Sequence, residues 1–437
     1  MVQVRYFAIN KTLKLTAIIP ICFLAALLTV INCKDVRGDD DNHLSEINMP
    51  INQIGQSKYF SQCPNGFEYG EMFEDTFCQL VDLNFLDNPV SIYALYIRGS
   101  YFQDDADLTS LNNVSNVNTI WLVDVTENQL HNIANKSIVE NVRNVYILEY
   151  GGSFIAINEL LSSIDSNSLE TLLLFGLNPI NNDISMILRN TRIDELELLD
   201  VGEIGFQSGS IKRLIENNIS SIRSISIDHV ALDNNDITTI LSTNPREMTL
   251  GFIDFIDNDD YIVRDISTDI VKIELYNIIE ANILNTLFSE HFRYDNLHEL
   301  KIHNMNIGAK NISALQNSIG TCSIRKILLN QTNVTDDMLW KLLTLCNDSI
   351  DTLDLHYNKL SKTSLSMILD YLKNHKIDEL SIVQKGISLI DIIEFLKLLK
   401  CNDVSMISIN KINLNDISHD YNPLVSEIKD CVKDAVH

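Results

Sequence analysis

Glycine is scarce in this chain, accounting for 15 of 437 residues. Loops that cradle phosphate groups depend on glycine, because only a residue without a side chain lets the backbone approach the ligand closely. The Gly-Lys-Ser/Thr motif of such loops is absent, and so are the His-Glu-x-x-His and Gly-x-Ser-x-Gly motifs of two large hydrolase classes. We therefore expect a protein that is not an enzyme and holds no cofactor.

Basic residues are also few. The chain has 33 lysines and arginines against 59 aspartates and glutamates, which gives a formal net charge of −26. A surface that binds the phosphates of nucleic acid needs a basic patch, so we do not expect nucleic acid as a partner. Anionic membrane surfaces should repel the chain for the same reason. The alternative interpretation is that the charge only keeps the protein soluble.

Residues 1–33 combine a basic start with a long apolar run. Arg5, Lys11 and Lys14 precede Leu15–Ile31, and acidic residues follow from Asp35 onward. This order is typical of a signal peptide or, if it is not cleaved, of a signal anchor. Membrane contact is then expected only through this segment, and the rest of the chain should be secreted or lie on the extracellular face of a membrane. A buried N-terminal helix is the alternative.

From Ser91 onward an apolar triplet recurs. Its second and third members follow the first after three and five residues, as in Ile350, Leu353 and Leu355. This alternation is typical of a short strand with one buried face. Thirteen such units have a mean spacing of 26 residues, and Glu247 is the only first member that is not apolar. The predicted first members are Ile92, Val117, Val142, Leu169, Ile193, Ile222, Glu247, Ile270, Leu297, Ile324, Ile350, Ile377 and Val404.

A second period follows several of these strands. Leu365, Ile368, Leu369 and Leu372 lie at positions i, i+3, i+4 and i+7, which is the apolar stripe of an amphipathic helix. The same stripe begins at Ile157, Leu339 and Ile392 in three other units. Each unit is therefore predicted to contain a strand, a turn, a helix and a return loop, so the predicted fold class is α/β. One unit cannot bury its apolar face alone, whereas stacked units can.

These units resemble leucine-rich repeats, most closely the helix-bearing ribonuclease-inhibitor-like and cysteine-containing classes. The stretch 330–350, NQTNVTDDMLWKLLTLCNDSI, has the Thr-Asp, helix, cysteine order of the second class. The resemblance covers residues 91–411 and implies a solenoid of 13 units, a curved horseshoe with parallel inner strands and outer helices. The family places Asn, Cys or Thr three residues after the last strand leucine, where the side chain bonds to the turn. Only Asn358 and Thr332 fit, so we expect irregular turns where apolar residues stand instead: Val125, Tyr150, Leu177, Val201, Val230, Phe255, Ile278 and Met305.

The segments on either side of the array are interpreted as caps. Residues 34–90 contain an acidic tail and an aromatic-rich stretch, and residues 412–437 contain a short helix-like segment. An array must cover the apolar faces of its end units. Eight cysteines are too few for a disulfide scaffold and show no Cys-x-x-Cys metal spacing. In an oxidising compartment we predict a Cys63–Cys78 disulfide in the first cap, and Cys401 and Cys431 form a second candidate pair.

The histidines do not predict a metal site. If the predicted strands stack in register, His303 and His356 occupy equivalent positions that point away from the helices, and Asn330 lies between them. Two strand spacings of about 4.8 Å separate the two histidines, which is too far for one metal ion. His229 adjoins Asp228, but no third ligand recurs nearby.

The strand residues that point away from the helices predict a binding surface. Neighbouring units should stack aromatic and aliphatic side chains one strand spacing apart, which creates a contiguous patch. Exposed patches of this kind usually mark interfaces, and tyrosine and tryptophan are favoured anchors. Cover by the N-terminal cap or by a second copy is the alternative. The predicted patch consists of Tyr96, Trp121, Val123, Tyr146, Leu148, Leu173, Phe175 and Leu199.

The expected function is non-catalytic binding of a protein through the concave face, by a secreted or membrane-anchored protein. The abundance of isoleucine and asparagine is typical of AT-rich genomes, which suits a cell or parasite surface. Two alternatives remain open. One is a cytosolic substrate adaptor of a ubiquitin ligase, as similar cysteine-containing repeats are. The other is a structural coat component that associates with itself.

Overall fold

The computed structural model divides the chain into two units, Met1–Lys58 and Tyr59–His437. It describes residues of the second unit from 67 to 409, except 73–74, 81–89, 103–107, 136, 166–167, 178–185, 190, 204–206, 217, 258–265, 280–281, 320–323, 346–348, 384–385, 400–403 and 405. The predicted leader (residues 1–33), the acidic tail, much of the N-terminal cap, the C-terminal cap and Cys63, Cys401 and Cys431 lie outside these residues. Those predictions therefore stay predictions.

The strands of the described part follow one another at nearly regular intervals. One open sheet contains fifteen of them in the order β1-β2-β4-β6-β7-β8-β9-β10-β12-β15-β17-β18-β19-β20-β21. The strands are β1 (Phe67–Met72), β2 (Asp75–Leu80), β3 (Val90–Ser91), β4 (Ala94–Arg98), β5 (Val114–Ser115), β6 (Thr119–Val123), β7 (Asn144–Leu148), β8 (Thr171–Phe175), β9 (Ile193–Gly202), β10 (Ile219–Asp228), β11 (Ala231–Asp233), β12 (Glu247–Gly251), β13 (Asp254–Ile256), β14 (Ile266–Thr268), β15 (Lys272–Tyr276), β16 (Phe292–Tyr294), β17 (Glu299–His303), β18 (Lys326–Asn330), β19 (Ile350–Asp354), β20 (Ile377–Ile382) and β21 (Met406–Ile409).

The sheet is parallel throughout except at one edge. There β1 and β2 form an antiparallel hairpin, and β2 continues the sheet by pairing in parallel with β4. Three small parallel pairs, β3–β5, β11–β13 and β14–β16, lie outside the large sheet. A parallel strand needs a crossover connection to its neighbour, and the helices lie in these crossovers. The α/β class is confirmed, and the open parallel sheet is compatible with a solenoid.

Nine α-helices follow strands in the described part. The residues that begin the four predicted stripes, Ile157, Leu339, Leu365 and Ile392, are buried positions on helices, whereas Leu369 and Leu396 are only partly buried and Cys346 lies outside the described residues. These side chains and one face of the sheet form a single continuous hydrophobic core. The helices are α1 (Glu127–Ala134), α2 (Phe154–Ser162), α3 (Ser210–Ile215), α4 (Asn234–Ser242), α5 (Asn282–Leu287), α6 (Ala309–Ile319), α7 (Asp336–Leu343), α8 (Lys362–Leu372) and α9 (Leu389–Leu398).

The sheet register corrects the predicted triplet in one unit. Leu172 of β8 pairs with Leu199 of β9, which in turn pairs with Ile225 of β10. The core triplet of this unit is therefore Leu196, Leu199 and Val201, three residues later than predicted. Leu199 faces the core, so its predicted place in the outward patch was wrong. Leu196 stands 27 residues after Leu169 and 26 before Ile222, which is also the more regular spacing.

A second register correction removes the exception at Glu247. Met248 and Leu250 of β12 pair with Ile225 and Ile227 of β10, so both face the core. The triplet therefore begins at Pro245, which is buried, and Glu247 lies on the opposite face of the sheet. With both corrections, neighbouring first members stand 23 to 27 residues apart.

The turns after the strands are regular, contrary to expectation. From β6 to β19, a residue with positive φ follows each strand of the large sheet, and its N–H donates to a carbonyl group of the next unit. Asp124 N donates to Leu148 O at 3.0 Å, for example, and His229 N donates to Gly251 O at 3.1 Å. The left-handed residues are Asp124, Glu149, Gly176, Glu203, His229, Phe252, Asn277, Asn304, Gln331 and Tyr357. Buried apolar residues such as Val125 and Met305 then return the chain to the core.

The side chain of Asn358 bonds to the turn of the preceding unit. Its Oδ1 accepts hydrogen bonds from the N–H and Oγ1 of Thr332, at 3.1 and 2.9 Å, and from Val334 N at 3.0 Å. Its Nδ2 donates to Leu329 O at 2.6 Å. The amide therefore connects its own turn to the preceding one.

Carboxylates on two helices bind the N-terminal ends of neighbouring helices. The carboxylate of Asp236 in α4 accepts from Gly209 N at 2.7 Å and Lys212 N at 2.8 Å, at the start of α3. Asp336 of α7 accepts from Ser361 N at 2.9 Å, at the start of α8. The first N–H groups of a helix lack partners within that helix, so these bonds satisfy donors that would otherwise be orphaned. They also tie each helix to the next.

Candidate functional site: the inner face of the sheet

We call the face of the sheet that points away from the hydrophobic core the inner face. Two outward columns cross it, because alternate residues of each strand point to opposite sides and the register aligns them. The first column contains Tyr96, Trp121, Tyr146, Leu173, Asp200, Ser226, Thr249, Glu274, Lys301, Leu328 and Asp354. The second contains Arg98, Val123, Leu148, Phe175, Gly202, Asp228, Gly251, Tyr276, His303 and Asn330.

The structure brings most of the predicted patch together. Tyr96, Trp121, Tyr146 and Leu173 are register partners on successive strands. The rings of Trp121 and Tyr146 are stacked, with centroids 3.8 Å apart and planes 4° from parallel. Val123, Leu148 and Phe175 stand beside them in the second column. The predicted neighbours are therefore confirmed.

The predicted exposure of this patch is wrong. Trp121 and Leu173 are each 1% exposed, and Tyr146, the most accessible member, is 9% exposed. Burial also raises the pKa of the Tyr96 phenol. The alternation of a strand assigns a side chain to a face of the sheet, but it does not say whether that face is covered. The burial agrees with the alternative that the patch is covered, and the buried members are Tyr96, Trp121, Val123, Tyr146, Leu148, Leu173 and Phe175.

A polar cluster follows the buried patch along the inner face. Asp228 is buried, and each of its carboxylate oxygens has a hydrogen-bond partner. The hydroxyl of Tyr276 donates to Oδ1 at 3.1 Å, and Nδ1 of His229 lies 2.7 Å from Oδ2. The His229 ring stacks on Phe252 at 4.2 Å, and Phe252 meets the edge of Tyr276 at 5.7 Å. We call Asp228, His229, Gly251, Phe252 and Tyr276 the Asp228 cluster.

Burial dominates the electrostatics of the Asp228 cluster. It raises the pKa of Asp228 above its ordinary value, while the hydrogen bonds from His229 and Tyr276 act in the opposite direction. The sequence showed that Asp228 and His229 are adjacent, but Tyr276 lies 48 residues further along the chain and was missed. The only signal was a glycine at a strand position, Gly251, where a side chain from elsewhere can cross. The cluster fixes three neighbouring strands to one another.

Beyond the cluster, the inner face is half-buried and charged. We call the part on β12, β15, β17, β18 and β19 the open half. Lys272 Nζ lies 3.2 Å from Glu274 Oε2, and Lys301 Nζ lies 2.7 Å from Glu299 Oε1 and 3.8 Å from Glu274 Oε2. Lys326, 48% exposed, stands 3.8 Å from Glu299 Oε2. These residues alternate in sign across four strands. We call them the charge ladder: Glu247, Lys272, Glu274, Glu299, Lys301 and Lys326.

The pKa values of Glu299 and His303 on the open half both lie below their ordinary values. Burial opposes ionisation of Glu299, but the hydrogen bond and charge of Lys301 outweigh it and hold the pKa of that carboxyl below its ordinary value. Burial lowers the pKa of the His303 imidazole, against the attraction of Glu274 and Asp354. His356 Nδ1 contacts Asp354 Oδ1 at 2.8 Å. The open half thus presents polar side chains that are paired with one another within and between adjacent strands.

No family model and no curated protein matches the chain. Among the described residues, no group of three or more histidine, cysteine, aspartate or glutamate side chains could hold a metal ion. No helix in the described part combines the length and the apolar character that crossing a bilayer requires.

Proposed function

We propose that the chain is a leucine-rich-repeat solenoid of thirteen units that binds another protein, without catalysis, through the open half of its inner face. The repeat interpretation is supported by the corrected spacing of 23 to 27 residues between first members. It is supported further by the turn geometry that recurs from β6 to β19 and by the bonds of Asn358 to the neighbouring turn. Nearest-neighbour stacking of such units creates a long surface for a macromolecular partner.

The single observation that carries the binding proposal is the charge ladder. Its side chains project from successive strands, are partly accessible, and are held by each other at 2.7 to 4.0 Å. Groups that are already ordered lose less entropy when a partner binds. Alternating charges add little affinity on a surface, but they select a partner with the complementary pattern and fix its register.

The proposed location is outside the cell or on the outer face of a membrane. Its support is the order of basic, apolar and acidic residues in the leader. A protein delivered there would present the open half to partners from the surroundings. Fractionation of cells that express the full chain tests this part separately from binding.

The binding test is affinity capture from the medium and from the surfaces of neighbouring cells, with partners identified by mass spectrometry. Lys326→Glu reverses a charge in the open half, whereas Lys397→Glu makes the same change on the exposed side of α9. We expect Lys326→Glu to reduce capture of a specific partner, while Lys397→Glu leaves it unchanged. Equal capture by both variants, each with wild-type circular dichroism, would contradict the proposal that the partner binds the open half.

A further inference from the structure

The sequence contains seven Asn-x-Ser/Thr sequons after the leader, and the structure ranks them. Asn347 lies outside the described residues. The asparagine side chains of the other six differ in accessibility, which decides whether the folded protein has room for an oligosaccharide. They are Asn113, Asn135, Asn218, Asn311, Asn330 and Asn333.

Asn311 cannot carry a glycan in this fold. Its side chain is 7% exposed, and both ends of the amide are engaged. Its Oδ1 accepts from Gly308 N at 2.8 Å, and its Nδ2 donates to Asn285 Oδ1 at 2.8 Å. A sugar on Nδ2 would displace this asparagine from the interior at the start of α6.

The Asn330 sequon is also partly buried. Asn330 lies on the inner strand β18, and the Thr332 that completes its sequon is fully buried. Thr332 Oγ1 donates to Asn358 at 2.9 Å. Asn218 and Asn333 are half-buried, and each donates a side-chain hydrogen bond, to Leu214 O and to Asn306 Oδ1 respectively.

Asn135 is different, because it is the only one of the six whose residue is exposed. It is the residue that ends α1, and its Nδ2 donates to His131 O at 2.9 Å. The primary amide has two N–H groups, so this bond uses one and leaves the other for substitution. The site lies on a helix end and not on the inner face, so a glycan there leaves the open half uncovered.

We propose that Asn135 is an N-glycosylation site of this protein. The donor would be a lipid-linked oligosaccharide diphosphate. A bond forms between Nδ2 of Asn135 and the anomeric carbon, the bond from that carbon to the phosphate breaks, and the amide proton and the lipid diphosphate leave. The proposal rests on the proposed secretory location, since the donor is a membrane lipid of that pathway.

The test uses the full chain expressed in a eukaryotic cell that glycosylates secretory proteins. Ser137→Ala removes the Asn135 sequon, and Ser313→Ala removes the Asn311 sequon, without changing either asparagine. We expect peptide mass spectrometry after N-glycosidase treatment to show conversion of Asn135 to aspartate. Ser137→Ala should lose one glycosidase-sensitive step in gel mobility, and Ser313→Ala should lose none. A secreted chain with Asn135 unmodified, or with Asn311 modified in folded protein, overturns the proposal.

A second arm separates this proposal from the proposed location. The same chain is preceded by the cleavable signal peptide of an unrelated secretory protein. If the native chain stays in the cytosol but the second form carries a glycan on Asn135, the location is wrong and the site assignment stands. If the second form enters the pathway and Asn135 stays unmodified, the site assignment fails.

Discussion

The phenol ring of Tyr276 occupies the space that a side chain at Gly251 would need. A Cβ at position 251 would lie 2.1 Å from Cζ of the tyrosine, far inside van der Waals contact. The two residues are register partners on β12 and β15. The ring crosses β12 at this point, and its hydroxyl reaches Asp228 on β10. Because Gly251 has no side chain, Tyr276 can reach across β12 and link β15 to β10.

Gly251→Ala should destabilise the protein by about 1–3 kcal/mol, the usual cost of forcing extra volume into a packed site. The methyl group would expel the Tyr276 ring and break its bond to Asp228. Chemical denaturation at neutral pH measures the loss. Gly386→Ala is the matched control, because the nearest atom to its added Cβ is Leu360 O at 3.5 Å. In a Tyr276→Ala background the Gly251→Ala cost should largely disappear, and a cost that persists there would contradict the explanation.

Tyr276→Phe removes only the hydroxyl, and its cost should depend on pH. Burial already raises the pKa of Asp228, and loss of the phenol donor would raise that pKa further. A carboxyl whose pKa is raised in the folded state contributes stability at pH values below its unfolded-state pKa. That contribution is lost as pH rises through its folded-state pKa. We therefore expect a loss of about 1.5–3 kcal/mol at pH 7 that shrinks as pH falls toward 3.8, the ordinary value. Paired unfolding curves of the two proteins across this interval measure it, and a loss independent of pH would exclude ionised Asp228 as the acceptor.

The apolar core could be predicted from the sequence because its spacing is regular. Leu353, Leu355 and Ile368 are buried as their periods require. Register was less certain, because Ile193-Leu196-Leu198 and Leu196-Leu199-Val201 satisfy the same spacing. Only the hydrogen bonds between β8, β9 and β10 distinguish the two.

The candidate site was harder to predict than the core. Stacking of Trp121 on Tyr146 follows from strand alternation, but their burial depends on what covers the second face of the sheet. The contact between Tyr276 and Asp228 spans two strands, and no local period encodes it. The charge ladder was present in the sequence as alternating lysines and glutamates. These residues can form ion pairs between strands only because the sheet register places Glu274 beside Lys301.

Glu299→Gln should weaken the fold most at neutral pH and low salt. The folded pKa of Glu299 lies below its ordinary value of 4.5, so its contribution is present above that value and is lost as pH falls through the folded pKa. Thermal melts of wild type and variant should therefore differ at pH 7 and converge in acid. Added salt should narrow the difference, because the partners in the ladder are partly exposed. A difference that persists in acid and in high salt would instead indicate a packing defect.

Gln331→Gly should stabilise the protein by several tenths to about 1 kcal/mol. Gln331 is exposed and has a φ of 55°, a conformation that strains any residue with a Cβ. Glycine relieves this strain, although its greater freedom in the unfolded chain offsets part of the gain. Lys326→Gly, on the strand of the same unit, is the control and should destabilise. Equal loss from both substitutions would mean that the left-handed turn is not retained in solution.

Asn358→Leu tests whether an apolar side chain, such as that of Met305 at the equivalent position, can replace the amide of Asn358. We expect a loss of about 1–3 kcal/mol, because the N–H groups of Thr332 and Val334 would lose their acceptor. Met305→Leu preserves volume in a buried turn and should cost less than about 1.5 kcal/mol. Hydrogen exchange should localise the effect, with faster exchange at Thr332 and Val334 and unchanged exchange in β6 and β7. Unchanged exchange at Thr332 and Val334 would show that the turn is held by its backbone ladder and its apolar neighbours, and that Asn358 is dispensable.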